Sequence, residues 1–327
     1  MLSERDALAI WYDGKPPSAA LKLWSFLYGA AVTLRRALYA AHALRMQRLP
    51  VPVAIVGNLT AGGTGKTPLV IALVRALQAR GFKPGVISRG YGGSARGALR
   101  VDAGSDTAVV GDEARLIFDA TEVPLWVGAD RVAAGRALLA ASDVDVLIAD
   151  DGLQHYRLAR DVEICVIDGL RRFGNSRLLP AGPLREPLER LARIPFRVCN
   201  GGIPQAGETL MTLHGDLAIA LVDGTQRALG EWRGTRVHGV AGIGNPARFF
   251  AQLAAAGMDV IEHPFADHHR FVAADLEFGD DLPVLMTAKD AVKCRTFARV
   301  QHWCVPVRAE MAEAFFDAVA ARLRAVA

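Results

Sequence analysis

The stretch Thr60-Ala-Gly-Gly-Thr-Gly-Lys-Thr67 has the composition and spacing of a loop that cradles a nucleotide triphosphate. Gly62, Gly63 and Gly65 let the backbone turn its N–H groups toward phosphate oxygens, and a helix opening at this point adds positive potential. Lys66 is placed to reach the β- and γ-phosphates, and the Thr67 hydroxyl to ligate Mg²⁺. Thr60 stands where the common G-x-x-x-x-G-K-[ST] pattern has its first glycine, so the match is a variant. A strand-to-helix turn that binds nothing is the alternative. The apolar run 51–56 before the loop and the helical periodicity after it favour nucleotide.

Further along, Val144-Asp-Val-Leu-Ile-Ala-Asp-Asp151 reads as an apolar strand ending in two adjacent carboxylates. Downstream of a phosphate loop, such a strand end supplies the acidic partner of the nucleotide-bound metal: Asp150, with Asp151 as a second metal or water ligand. Adjacent carboxylates repel unless a cation is present, whereas an Asp-Asp-Gly turn alone needs none. Val110-Gly-Asp-Glu113 admits two readings. Asp112 is either a helix N-cap, with Glu113 in the first turn, or a catalytic carboxylate at the sheet's rim.

Asp267, His268 and His269 fall in a polar loop after an apolar strand, with His263 nearby. Histidines without a cysteine pair make a poor structural zinc site, and a neutral imidazole beside a carboxylate suits proton handling better. Exposed loop histidines with no role are the alternative. Gly242-Ile-Gly244, with Glu262 downstream, resembles a short dinucleotide fingerprint, although Pro246 at a helix start explains that turn without a cofactor. Thr287-Ala-Lys-Asp290 lacks the leading asparagine of a guanine-reading loop. Arginines from Arg157 to Arg197 cluster after the paired aspartates, and some could hold an anionic substrate.

These groups need a scaffold. Strand-like runs at 51–56, 84–88, 123–127, 144–149, 163–168 and 196–199 alternate with helical patterns at 67–80, 112–120 and 130–141. That alternation predicts an α/β fold: a phosphate-loop NTPase-like parallel sheet with helices on both faces. The Gly/Pro-rich junction 201–207 predicts a boundary, followed by a second, smaller α/β unit with strands near 236–241, 260–263 and 284–287 and a closing helix at 309–325. The expected division is therefore 1–49, 50–200 and 201–327.

The 327 residues suffice for two cores; 51% are hydrophobic and 22% charged, which excludes a disordered chain. A net charge of +4 favours anionic partners without choosing among phosphates, acidic lipid and nucleic acid. Cys165, Cys199, Cys294 and Cys304 form no C-x-x-C pair and read as buried thiols of a reducing compartment. No signal peptide is expected, because Glu4 and Asp6 precede any apolar stretch. The segment 21–49 is uncharged from 23 to 33 and then carries Arg35, Arg36, Arg45 and Arg48. That is too short to span a bilayer, which takes about 20 apolar residues. An interfacial helix dipping Trp24, Phe26, Leu27 and Tyr28 into lipid and an ordinary core helix fit it equally.

The strings Gly57-Asn-Leu-Thr-Ala-Gly-Gly-Thr-Gly-Lys-Thr-Pro68, Ser88-Arg-Gly-Tyr-Gly92, Gly111-Asp-Glu113, Gly128-Ala-Asp-Arg131 and Asp150-Asp-Gly-Leu-Gln-His155 continue with Leu178-Leu-Pro-Ala-Gly-Pro-Leu-Arg-Glu-Pro187, Ala241-Gly-Ile-Gly-Asn-Pro246 and Phe265-Ala-Asp-His-His269. In this order, over about residues 10–310, they resemble the tetraacyldisaccharide 4′-kinase family. The resemblance implies ATP and Mg²⁺, phosphorylation of the 4′-hydroxyl of a tetraacylated glucosamine disaccharide 1-phosphate in lipid A synthesis, and work at the cytoplasmic face of the inner membrane. It implies two α/β domains joined by a two-stranded linker, a phosphate loop lacking its first glycine, and attachment to an anionic membrane surface through the N-terminal helix. It also implies no nucleic acid, and it names no protein partner.

Carried onto this chain, the resemblance makes Asp112 the catalytic carboxylate, paired with His268, with Lys66 on the phosphates. Thr60, Ala61, Gly62, Gly63, Thr64, Gly65, Lys66 and Thr67 would form the loop, completed by Gln154 and His155. Thr67, Glu113, Asp150 and Asp151 would serve the metal, and Arg89, Tyr91 and Arg131 the disaccharide. Two rivals are an NAD-linked enzyme using the Gly242 turn and a regulatory or metallochaperone-type NTPase. The partitioning class of such NTPases carries a lysine where this chain has Ala61.

Overall fold

Strands apolar on both faces suit a parallel sheet with both faces covered, and the runs rich in Val, Ile and Ala form its centre. In the computed structural model, which describes residues 4–326, helices α1 (Glu4–Trp11) and α2 (Ala19–Ala40) precede β1 (Val53–Gly57). Residues 1–3 and 327, the outer ends of the first and last expected segments, lie outside the described residues. There follow α3 (Lys66–Ala79), β2 (Pro84–Ser88), β3 (Leu99–Val101), α4 (Thr107–Val110), α5 (Asp112–Thr121), β4 (Leu125–Val127), α6 (Arg131–Ala141), β5 (Val146–Asp150), β6 (Val162–Asp168), β7 (Phe196–Asn200) and β8 (Glu208–His214). The second half holds β9 (Leu217–Ala220), β10 (Gln226–Ala228), β11 (Arg236–Ala241), α7 (Pro246–Ala255), β12 (Asp259–Pro264), β13 (Val284–Thr287), α8 (Ala288–Cys294), β14 (His302–Val305), β15 (Arg308–Met311) and α9 (Glu313–Arg324).

Among the described residues the strands form two sheets. The nine-stranded sheet runs β15-β8-β7-β6-β1-β5-β2-β4-β3, parallel throughout except at its two edges. Helices α3, α5 and α9 cover one face with Leu69, Leu73, Ile117 and Val319. Helix α6 and irregular segments cover the other with Leu138, Leu153 and Leu184. The six-stranded sheet runs β10-β9-β14-β13-β11-β12, with Phe249, Phe250 and Leu253 of α7 on one face and Ala291 and Cys294 of α8 on the other.

Sheet membership does not change cleanly at residue 201. The chain leaves the large sheet after β8, builds the small one, and returns as β15, antiparallel to β8. Residues 309–311, expected to begin the closing helix, belong instead to that edge strand, Arg308–Met311. Ala309 and Met311 pack on the core while the charges of Arg308 and Glu310 alternate with them, a period of two. The helix starts only at Glu313. Cys165, Cys199 and Cys294 are buried free thiols, while Cys304 is partly exposed.

Helix α2 differs from every other long helix in burying none of its residues. Leu23, Trp24 and Phe26 are 60%, 63% and 72% exposed. Its attachment combines two hydrogen bonds with one ring contact: the Ser25 hydroxyl donates to the Leu178 carbonyl at 2.7 Å, the Tyr28 hydroxyl to the Arg185 carbonyl at 2.9 Å, and the Tyr39 ring lies 5.7 Å from that of Tyr156. Among the described residues no helix is long and apolar enough to cross a membrane.

Candidate active site

Parallel strands deliver their carboxyl ends to one edge of a sheet, where ligands of open α/β folds bind. Here β1 and β5 are neighbours with Val56 opposite Asp150, so the loop after β1 and the acidic end of β5 emerge together. The loop feeds α3, whose N-cap is Gly65 at φ +89° with no side-chain cap. The first amides of α3 therefore face outward with no capping oxygen, ready for an anion. A Cβ at Gly65 would lie 2.3 Å from Asn200 Nδ2, which donates to the Thr64 carbonyl at 2.9 Å. The position demands glycine twice over, for conformation and for space. Lys66, nearly buried, donates to Asn58 Oδ1 at 3.3 Å and lies 3.5 Å from Asp151 Oδ1.

The paired aspartates differ in charge state. Burial pushes Asp150 up to about 7, with the Glu113 and Asp151 charges adding to it. Ser88 donates to its Oδ2 at 3.0 Å, while its buried Oδ1 has no hydrogen-bond partner. Burial also opposes ionisation of Asp151, but Lys66 and Arg185 outweigh it and hold that carboxyl at about 2. Arg185 reaches both Asp151 oxygens at 3.1 Å. An orphaned carboxylate oxygen beside the charges of Glu113 and Asp151 suits a hard cation, although among the described residues no three carboxylate, imidazole or thiolate groups converge on one point.

The other wall joins α5, which packs on the first sheet, to His268 from the unit of the second. Asp112 is the first residue of α5; Gly111, at φ +87°, is the cap position, so the capping alternative for Asp112 does not hold. Its Oδ1 accepts the Glu113 amide at 2.9 Å, and its Oδ2 meets His268 Nδ1 at 3.1 Å. His268 sits at φ +60°, a left-handed conformation that turns its ring toward α5. Burial works against Asp112's charge, but the His268 hydrogen bond and the lysines Lys289 and Lys293 leave its affinity for protons below normal. That same hydrogen bond raises the His268 pKa, against burial and Lys289.

Both walls face a cleft of about 570 Å³. Ala61, Gly62, Gly63, Thr64, Gly65, Lys66 and Thr67 line it, with Arg89, Tyr91, Glu113, Asp150, Asp151 and His268. Five residues expected at the site do not line it, among them Asp112, which is buried and hydrogen-bonded to the lining residue His268. Thr60 bridges to Leu184. Gln154 is tied to the Asn58 carbonyl and to Glu186. His155 is lowered to about 4 by burial, then by Arg131. Arg131 is buried against the Ala129 and Asp151 carbonyls. A larger cavity of about 1270 Å³ runs along α3, shares Thr67, Pro68 and Leu116 with the cleft, and contains neither Lys66 nor His268. The Gly242 turn is used for packing: its amide binds Asp290 at 2.9 Å, and a Cβ at Gly244 would lie 3.2 Å from the Gly63 nitrogen.

The sequence reading gave no role to Asn58, Ser88, Asn200 and Lys289, and had Arg185 only among the arginines that could hold an anionic substrate. Ser88 and Asn200 end strands at the ligand edge, a signal available from their positions. Lys289 carried none beyond its neighbour Asp290.

The profile of the tetraacyldisaccharide-1-P 4′-kinase family matches residues 17–324. The chain belongs to this family. Among its relatives, the tetraacyldisaccharide 4′-kinase of Stenotrophomonas maltophilia is 52% identical over 96% of this chain and 95% of its own length. That of Nitrosococcus oceani is 52% identical over 94% and 91%. A crystal structure of LpxK from Aquifex aeolicus, described as an apo form in complex with ATP, superposes with a TM-score of 0.78 at 26% identity, covering 94% of this chain and 98% of that one. The family's phosphoryl chemistry is what the cleft between the two sheets is equipped for.

Proposed function

We propose that this chain transfers the γ-phosphate of ATP to the 4′-hydroxyl of a tetraacyldisaccharide 1-phosphate, the 1,4′-bisphosphate being the product, in lipid A biosynthesis. One observation supports it above the others: a phosphate loop with Lys66 faces the same cleft as His268, whose ring is hydrogen-bonded to the buried carboxylate of Asp112.

Lys66 and the amides of 60–67 hold the β- and γ-phosphates. Asp112, low in proton affinity and oriented by His268, takes the 4′-hydroxyl proton as that oxygen forms its bond to phosphorus and the bond to the ADP oxygen breaks. A carboxylate is a modest base, which suffices where positioning and charge stabilisation supply most of the barrier reduction. Thr67, Asp150, Asp151 and Glu113 would hold Mg²⁺, which neutralises phosphate charge when bound. Arg89 and Tyr91 stand at the cleft mouth as disaccharide contacts. Arg131 braces the Asp151 backbone instead of reaching the sugar.

In this reading residues 50–200, with β8, β15 and α9 added, form the ATP unit, and the rest of 201–327 closes over it with His268. Segment 1–49 rests on the cytoplasmic face of the inner membrane, its Leu23, Trp24 and Phe26 in lipid and Arg35 and Arg36 on anionic head groups. The test is transfer of label from γ-labelled ATP to an acylated disaccharide 1-phosphate. A labelled disaccharide supports the reading; hydrolysis without a labelled lipid would favour the regulatory NTPase.

A further inference from the structure

The mechanism above gives no role to Lys289, a half-buried cation lining the cleft. Lys289 is the second residue of α8, and its backbone is firmly placed. The Thr287 hydroxyl accepts the Asp290 amide and donates to Asp290 Oδ2 at 2.6 Å, while Asp290 also binds the Gly242 amide and Lys293. From this anchored start Lys289 Nζ reaches three groups at once: Asp267 Oδ1 at 3.1 Å, Glu113 Oε1 at 3.2 Å and His268 Nε2 at 3.3 Å. Asp112 Oδ2 lies 4.0 Å away.

An ammonium group has three hydrogens to donate and no lone pair. The imidazole nitrogen facing it must therefore be the acceptor, so Nε2 is bare and the ring proton sits on Nδ1. That proton points at Asp112 Oδ2. Without the ammonium, the ring has a competing choice: Asp267 Oδ1 lies only 3.8 Å from Nε2 and would draw a proton there. A neutral ring protonated on Nε2 would turn the Nδ1 lone pair against the Asp112 carboxylate and break the pair. Which nitrogen of a histidine carries the proton is set by the partner on the other side of the ring.

Resting on the kinase reading of this cleft, we infer that Lys289 is a positioning residue: it fixes His268 as the neutral Nδ1–H tautomer and ties the 265–269 loop to α5 through Glu113. Asp112 then stays an unprotonated acceptor held by a donor. Lys293, whose ammonium is 3.8 Å from Asp112 and 2.9 Å from Asp290, braces the same corner without touching the ring.

The experiment pairs kinetics with ¹⁵N spectroscopy of histidine-labelled protein, the His268 signals being assigned by their loss in His268→Asn. In the wild type, His268 should show a protonated Nδ1 and a bare Nε2. Lys289→Met should protonate Nε2 and lower kcat by about 10–100-fold, the range for losing a partner that orients a functional histidine, with KM for ATP within about twofold. Lys289→Arg, which keeps charge and donors, should retain the Nδ1–H tautomer and at least about a tenth of kcat. It carries the test should Lys289→Met not fold. Unchanged kcat in Lys289→Met, a wild-type His268 already protonated on Nε2, or loss of both tautomer and turnover in Lys289→Arg would overturn the assignment. The tautomer is read without substrate. A wild-type protein that phosphorylates no disaccharide while showing this tautomer would sink the kinase reading and leave the Lys289 assignment standing.

Discussion

The two walls of the cleft are held together by different kinds of structure. Asp150 ends β5, Asp151 follows it, and Lys66 opens α3 after the loop from the adjacent strand β1, in the register Val56 to Asp150, above a core with Leu69, Leu73 and Ile148 fully buried. Nothing short of unfolding that core separates them. Asp112 and His268 lie 156 positions apart, on elements belonging to different sheets, and meet through one 3.1 Å hydrogen bond backed by Lys289. The phosphate-holding wall is thus fixed by the fold, while the proton-handling wall is assembled from two parts by polar contacts. Substitutions in the first should remove binding and chemistry together. Those in the second should remove chemistry and leave nucleotide affinity intact.

The largest effect belongs to the first wall. Lys66→Ala should lower kcat/KM by about 10³-fold or more, because a partly desolvated cation aimed at transferring phosphate is worth several kcal/mol. Its unfolding transition should barely move. Steady-state kinetics with ATP as varied substrate checks this, and a near-normal rate would remove the nucleotide from the 60–67 loop.

Next comes the stability that Asp150 sacrifices. Its native pKa, about 7, lies above its ordinary value of 3.8, so between those pH values the native state binds the extra proton. Stability from this group therefore falls as pH rises from about 4 to 7, and the full penalty stands at pH 8. Asp150→Asn should stabilise the metal-free protein at pH 8 by roughly 2–4 kcal/mol while losing turnover. Mg²⁺ should raise the wild-type melting temperature and leave that of Asp150→Asn unchanged. Equal responses of the two proteins to Mg²⁺ would take the metal away from this carboxylate.

The smallest effect lies outside both walls. Replacing Trp24, Phe26 and Leu27 by Ser removes exposed apolar surface from a helix with no buried residue. Binding to vesicles rich in anionic lipid should weaken at least tenfold, about 1.4 kcal/mol, with KM for ATP unchanged. Vesicle flotation measures it. Unaltered flotation would return α2 to a purely structural role.

The same contrast explains what was legible in the sequence. Strand runs and the loop 60–67 were visible because buried parallel strands are continuously apolar and phosphate loops need glycine at fixed spacing. Asp150 could be placed because it ends such a strand. The Asp112–His268 pair left no local pattern: a helix-start aspartate and a loop histidine each have ordinary explanations, and only the family resemblance joined them. Lys289 was missed because its partners, Glu113 and His268, come from elsewhere in the chain. Edge strand β15 was read as helix because its alternation covers only Arg308–Met311, too few residues to outweigh the helix that follows.

The claim that the proton-handling wall works as one unit assembled from two sheets is tested most directly by a double-mutant cycle. The kcat of Asp112→Asn, His268→Asn and the double variant would be compared under saturating ATP. If carboxylate and imidazole act together, each single change should cost about 10²–10⁴-fold, and the double should cost little more than Asp112→Asn alone. ATP affinity should be preserved in all three. Losses that multiply, or a collapse of ATP affinity in Asp112→Asn with kcat retained, would contradict the account and make Asp112 a nucleotide-side residue.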